Sequence, residues 1–203
     1  IVETMLLGDF AAVLALSPAP RFVAVDMPIG LLATASPGGR SCDPEARALL
    51  GPRCSSVFSP PLRGHLGAKD WSEVSGISKQ SFHLLPKIRE VDSCMTASRQ
   101  QWVRETHPEL AFANLKGVPM TFPKRTADGQ RERLQTLQVA IPDVQKIYRG
   151  ALEQFRRSQV ARDDILDALV LAVVAQGMAD GVSRRLPRRP VRDARGLLME
   201  IWS

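Results

Sequence analysis

Residues 163–175 read DDILDALVLAVVA. Asp164 and Asp167 are three apart, so on a helix they share a face. Ala168 to Ala175 are all Ala, Leu or Val, and a helix that apolar is largely buried. Acids at the start of a buried helix cost free energy unless something charged meets them. A divalent metal is one such partner. The helix dipole is the other, contributing typically below about 1 kcal/mol at an exposed site.

Working outward, RFVAVDMPIG (21–30) places a short valine-bearing run, Phe22 to Val25, before Asp26, Pro28 and Gly30. Such a run predicts a fully buried strand. In open α/β sheets ligand chemistry gathers at the carboxyl ends of strands, which is where Asp26 falls. An Asp that merely caps the following turn fits the same pattern. A second strand is predicted around Trp102 and Val103. If it continues, Glu105, His107 and Glu109 point to one face. Pro108 weakens pairing there, and a helix from Pro108 closed by Gly117 is the competing reading. Helices are also predicted over 4–16, from a start at Asp43-Pro44 to Gly51, over 72–90 with a break at Pro86, and over 130–140 and 143–158. The Gly, Pro and Ser-rich stretch 51–67 predicts a long ordered loop or lid. GLLMEIWS predicts a terminal strand.

The chain of 203 residues suits one domain. It contains no apolar run of the roughly 18 residues that a membrane span needs. Ile1 in place of an initiator Met makes residues upstream an expectation. Cys42, Cys54 and Cys94 form neither a disulfide framework nor a zinc ribbon, and free thiols in a reducing cytoplasm are the default. The net charge is +6, and the stretch 184–195 supplies +5 of it: Arg184, Arg185, Arg188, Arg189, Arg192 and Arg195 against Asp193. A basic segment of this kind can hold nucleic acid. Pro187 and Pro190 allow no helical face to align the arginines, so the stretch equally reads as a connector.

Acids thus occur at three separated points: Asp26, Glu105, and the pair Asp164 and Asp167. Carboxylates meeting from strands and one helix are what two-metal phosphoryl transfer uses, and Mg²⁺ or Mn²⁺ takes hard oxygen ligands. His107 can act beside them as a general base or simply hydrogen-bond a turn. Lys124, in the loop before Gly129, can contact phosphate or be a solvated cation. Walker-type, H-E-x-x-H and G-x-S-x-G sequences do not occur.

Seven motifs fall in order along the chain: VDMPIGL (25–31), CDPEAR (42–47), LGPR followed by SVFSPP (50–61), PKIREVD (86–92), RETHPE with Phe112 (104–112), PKRTADG (123–129) and DDILDA (163–168). In these the chain resembles domain-of-unknown-function family four-two-nine, described as RNase H-like nucleases by prediction. The resemblance implies an α/β, RNase H-like fold: a mixed central sheet with flanking helices. It carries metal-binding roles onto Asp26, Glu105 and Asp164 or Asp167, and matches His107, Glu109 and Lys124 to other polar positions. The family's fold opens with a strand bearing a first metal-binding Asp, whereas here only a helix and a few residues precede VDMPIGL. Missing upstream residues or a partner strand are therefore expected, since a sheet without its central strand exposes apolar edges.

Three functions follow as expectations. The first is a Mg²⁺- or Mn²⁺-dependent nuclease using Asp26, Glu105, Asp164, Asp167 and His107, with Lys124 on substrate phosphate. The second is a non-catalytic RNase H-like module that binds nucleic acid or protein. The third is a kinase-like phosphotransferase, which the absence of a Gly-rich phosphate loop disfavours.

Overall fold

The computed structural model describes residues 2–203, so Ile1 lies outside the described residues. The chain is a mixed α/β structure, with short strands and seven α-helices among the described residues. Strand β1 is Val23–Val25 and β2 is Val103–Glu105, three residues each. They pair in parallel, with Val23 opposite Val103 and Val25 opposite Glu105. Strands β3 (Arg185–Arg192) and β4 (Leu198–Trp202) pair antiparallel. A single parallel bridge, Thr106 to Trp202, joins the two pairs, so the lateral order is β1, β2, β4, β3. Gln100 helps to hold β4 in place. Its side-chain amide donates to the Leu198 carbonyl at 2.7 Å and accepts from the Leu198 N–H at 2.7 Å.

Instead of one mixed central sheet there are two two-stranded sheets. Proline accounts for part of this. Pro28 turns the chain after β1, and Pro108 begins a helix three residues after β2 ends. The arginine stretch is not a connector over its whole length, because residues 185–192 form β3. Pro187 and Pro190 are tolerated there because β3 is an edge strand, bonded on one side only.

The helices follow the predicted order with shifted ends. Helix α1 is Phe10–Leu14, shorter than the predicted 4–16, because Asp9 caps it by accepting from the Ala12 N–H at 2.8 Å. Helix α2 is Cys42–Leu50, flanked by Ser41 rather than capped by Asp43, whose carboxylate is engaged by Arg40. Helix α3, Lys79–Cys94, runs through Pro86, with Leu85, Ile88 and Val91 buried on either side of it. Helix α4 is Pro108–Lys116, with Pro at the first helical position, where its missing N–H is not needed, and Gly117 at its end. Helices α5 (Ala127–Gln138), α6 (Val144–Gln154) and α7 (Arg162–Asp180) complete the set.

Side-chain alternation in β1 divides the core. Phe22 and Ala24 pack with Leu166, Val170 and Val174 of α7. Val23, Val25 and Met27 pack on the other face with Val91, Met95 and Val103. The segment after β1 crosses that second face. Gly30, at φ +79°, passes so close to β4 that an added Cβ would lie 2.9 Å from Met199 Cγ. Stretch 51–67 is fastened rather than free. Arg47 donates to the Val57 carbonyl at 3.0 Å, Arg53 to the Met120 carbonyl at 3.0 Å, and Arg63 bridges Asp92 and Asp193.

A buried charge cluster anchors the crossing segment. Arg40, 3 % exposed, meets Glu105 at 2.6 Å and Asp43 at 2.8 Å, and donates to the Gly30 carbonyl at 3.2 Å. Burial works against the Arg40 charge, but Glu105, Cys42 and Asp43 outweigh it, so its pKa lies well above the usual value. Removing one partner of such a cluster strands the others without a counter-charge. Arg40→Leu is expected to destabilise the fold by about 3–5 kcal/mol in urea titrations. A loss below about 1 kcal/mol would show that the cluster is not structural.

Candidate functional site

Asp26 follows β1 directly and continues its alternation toward α7. Asp164 and Asp167 lie in the first two turns of α7. Lys124 lies in the turn between α4 and α5, and the sequence PKRTADG explains how that turn is built. Thr126 caps α5 by accepting from the Gly129 N–H at 3.0 Å, and its hydroxyl donates to the Pro123 carbonyl at 2.8 Å. There is no room for a side chain at Gly129, because an added Cβ would lie 1.9 Å from the Pro123 carbonyl oxygen. The turn is thereby held against the helix and presents Lys124 to α7.

Two hollows meet at these residues. One is a groove of about 800 Å³ along the edge of β1 that faces away from β2, floored by Ala168, Ala172 and Ala175 of α7. The other is a cleft of about 650 Å³ that also includes His107, Glu109 and Arg53. Asp26, Lys124, Asp164 and Asp167 border both. Ala168 and Ala172 are exposed, so the apolar face of α7 is not buried all round as its sequence suggests.

The structure brings together Asp26, Asp164, Asp167, His107 and Lys124. Glu105 borders neither of these two hollows and shares only a small one, of about 30 Å³, with Asp26 and His107. Val25 pairs with Glu105, so Asp26 falls beside Thr106, and the Glu105 side chain leaves β2 on the opposite face of the sheet. There it accepts from Arg40 and, at 2.6 Å, from the Ile29 N–H. The single strand face predicted for Glu105, His107 and Glu109 does not form, because β2 ends at Glu105 and α4 begins at Pro108.

Lys124 supplies the positive charge of the group. Its Nζ stands 2.7 Å from Asp167 Oδ2 and 3.4 Å from Asp163 Oδ2. Burial acts to lower the Lys124 pKa, but Asp167 and Asp163 prevail and raise it. Burial also pushes the Asp167 carboxyl up to about 6; Lys124 opposes the rise and Asp26 adds to it. Asp26 is likewise raised to about 6 by the protein around it, against Lys124 and with Asp164. Asp26 presents its surface to the open groove, so water tempers its cost more than that of Asp167, which is 8 % exposed. Asp164 also accepts from the Ala161 N–H at 3.2 Å and so closes the first turn of α7.

His107 Nε2 lies 3.1 Å from the Ser56 carbonyl, which makes it the donating nitrogen. Nδ1 is buried without a partner, and burial lowers the ring's pKa, so the imidazole is neutral at pH 7 with a free lone pair. Glu109 is gripped by Arg133, a fully buried arginine that also donates to the Gly129 carbonyl at 3.0 Å and stands over the Phe112 ring. Neither Arg133 nor Asp163 is singled out by the sequence. An arginine four residues after a cap-proximal glycine carries no signal without the fold.

Among the described residues no three His, Cys, Asp or Glu side chains stand close enough to hold a metal ion. The donor chemistry fits a hydrated cation better than a closed cage. Asp167 Oδ1 is buried with no hydrogen-bond partner, and Asp26 borders the same groove. Mg²⁺ is commonly held by one or two carboxylates, with water and substrate phosphate completing its shell.

The class defined by this fold and site is an α/β protein with an acidic, lysine-bearing group where a groove and a cleft meet. The chain belongs to the family described as "Protein of unknown function (DUF429)", whose model matches residues 2–192. No curated protein and no solved structure matches it. No helix among the described residues is long and apolar enough to cross a membrane.

Asp167 binds its proton more tightly in the folded chain than in the unfolded one, as does Asp26. The stability this provides is complete below the unfolded carboxylate range and is lost as pH rises through about 6. For Asp167 the loss is about 2–3 kcal/mol, at about 1.4 kcal/mol per tenfold change in proton affinity. Urea titrations between pH 4 and 7 are therefore expected to show stability falling with pH, with a shallower fall in Asp167→Asn. Equal slopes in both proteins would contradict the raised Asp167.

Proposed function

We propose that the chain is a Mg²⁺- or Mn²⁺-dependent nuclease of RNase H-like fold, hydrolysing phosphodiester bonds with a carboxylate-held cation. The observation that carries this reading is the meeting of Asp26, from a strand end, with Asp164 and Asp167, from a helix, at the junction of two hollows. Burial raises the Asp26 and Asp167 carboxyls and neighbouring carboxylates add to the rise, so ionising them there is costly without a cation.

Asp26 and Asp167 would hold the cation, with Asp164 at the rim. The cation supplies Lewis-acid polarisation of the phosphoryl group. Lys124, within reach of Asp167, turns its ammonium to a substrate phosphate and leaves the carboxylate free. His107 is neutral and its unpartnered Nδ1 can take a proton from an attacking water. Glu105, sealed against Arg40, takes no part in the chemistry. It fixes the segment after Asp26 by accepting from the Ile29 N–H. Nucleic acid is the proposed substrate.

One observation favours the second reading, a non-catalytic binding module. Lys124 already neutralises Asp167, which a protein without a cation would require. The two readings part on a cleavage assay with labelled single- and double-stranded oligonucleotides in Mg²⁺ or Mn²⁺. Under the nuclease reading the parent chain cuts, and Asp26→Asn keeps its fold by circular dichroism and loses activity by a factor of about 100 or more. Activity retained in folded Asp26→Asn would remove Asp26 from the chemistry. No cutting by the parent under any of these conditions would favour the binding module.

A further inference from the structure

We propose that the edge strand β3 is a binding surface for the phosphodiester backbone of nucleic acid, with Arg184, Arg188 and Arg189 as its phosphate contacts. The strand reads RLPRRPVR, with Arg184 immediately before it. Arg184, Arg185, Arg188, Arg189 and Arg192 are all exposed. Among the described residues only Arg185 of these five has a carboxylate partner, Glu200 at 3.6 Å. Arg195 is different: it is tied to Asp92 at 2.7 Å and belongs to the structure. Arg188 and Arg189 border an open hollow of about 830 Å³ with Ser41, which precedes α2, and Glu45 of α2. Four guanidinium groups without counter-ions on one edge make a field that attracts phosphate.

The topology puts this strand beside the acidic group. The Arg184 backbone pairs with Ser203 through both its N–H and its carbonyl. Trp202 bridges Thr106, and the Thr106 N–H donates to the Val25 carbonyl at 2.9 Å. The start of β3 therefore lies at the same end of the sheets as Asp26, three strand steps away. At about 4.8 Å per step that is about 15 Å, the reach of a few nucleotides. From Arg184 to Arg192 the strand extends about 25 Å further, at about 3.3 Å per residue.

The chemistry of β3 favours nucleic acid over a lipid surface. Membrane association needs apolar side chains to insert beside the basic ones. The only exposed large apolar residue of β3 is Val191. The strand has no aromatic residue, so the contact is to backbone phosphate and not to bases. The competing use of these residues is protection of a free edge, since charges and prolines both discourage pairing with another strand.

This surface rests on the reading of the chain as a protein that handles phosphodiester backbones, but the test is separated from cutting by working in EDTA. Fluorescence anisotropy with a labelled 20-nucleotide single strand and its duplex, at several salt concentrations, gives affinity and salt slope. The triple variant Arg184→Gln, Arg188→Gln, Arg189→Gln is expected to bind at least ~10-fold more weakly and to lower the slope by about 2–3, at about 0.7–0.9 per lost contact. A triple Arg→Lys variant at the same positions should keep most of the slope. If the glutamine variant does not fold, Arg188→Gln alone should lower the slope by about 1. An unchanged slope in a folded glutamine variant would overturn the proposal and leave the arginines as edge guards. So would failure of the parent to bind either oligonucleotide, or binding of anionic phosphatidylserine vesicles in preference to them.

Discussion

The parallel register of β1 against β2 is the constraint on which the rest of the structure depends. Val25 stands opposite Glu105, and a pleated strand sends successive side chains to opposite faces. Asp26 is thereby delivered to the α7 face and Glu105 to the other. On one side this gathers carboxylates around Lys124; on the other it pairs a carboxylate with Arg40 beneath the crossing segment. A slip of one residue in β1 would send its side chains to the opposite faces and take Asp26 away from Asp167. The two charge clusters are thus alternatives fixed by one set of backbone hydrogen bonds.

They answer the cost of burial in different ways. Around Arg40 one guanidinium hydrogen-bonds two carboxylates and two backbone carbonyls, a closed arrangement that holds the backbone. Around Lys124 the arrangement is open. The ammonium serves Asp167 and Asp163, with Arg125 3.8 Å from Asp163, while Asp26 and Asp164 stand nearby and Asp167 keeps an oxygen without a partner. The unpartnered Asp167 oxygen at the meeting of two open hollows is the feature that supports reading this group as a binding site.

Much of this was legible in the sequence where local chemistry decides it. Val23–Val25 read as a strand and DDILDALVLAVVA as a helix, because hydrophobic pattern and end residues agree there. The meeting of Asp26 with Asp164 and Asp167 follows from strand-end and helix-start positions, whereas Lys124 reaches them from the turn before α5. The facing direction of Glu105 was not legible, because it depends on register, and register is a property of two strands together. Arg40 and Arg133 carried no sequence signal, since their partners Glu105 and Glu109 lie 65 and 24 residues away. The arginine stretch was read by its prolines. An edge strand tolerates them, and only the pairing partner shows that there is an edge.

A Mn²⁺ titration by calorimetry, at pH 7 on the parent chain and on Asp167→Asn, tests most directly whether the acidic group is a cation site. The account predicts saturable binding in the parent, lost in the variant and weakened in the parent as pH falls below about 6, where Asp26 and Asp167 take up protons. No binding by the folded parent, or equal binding by the two proteins, would contradict it.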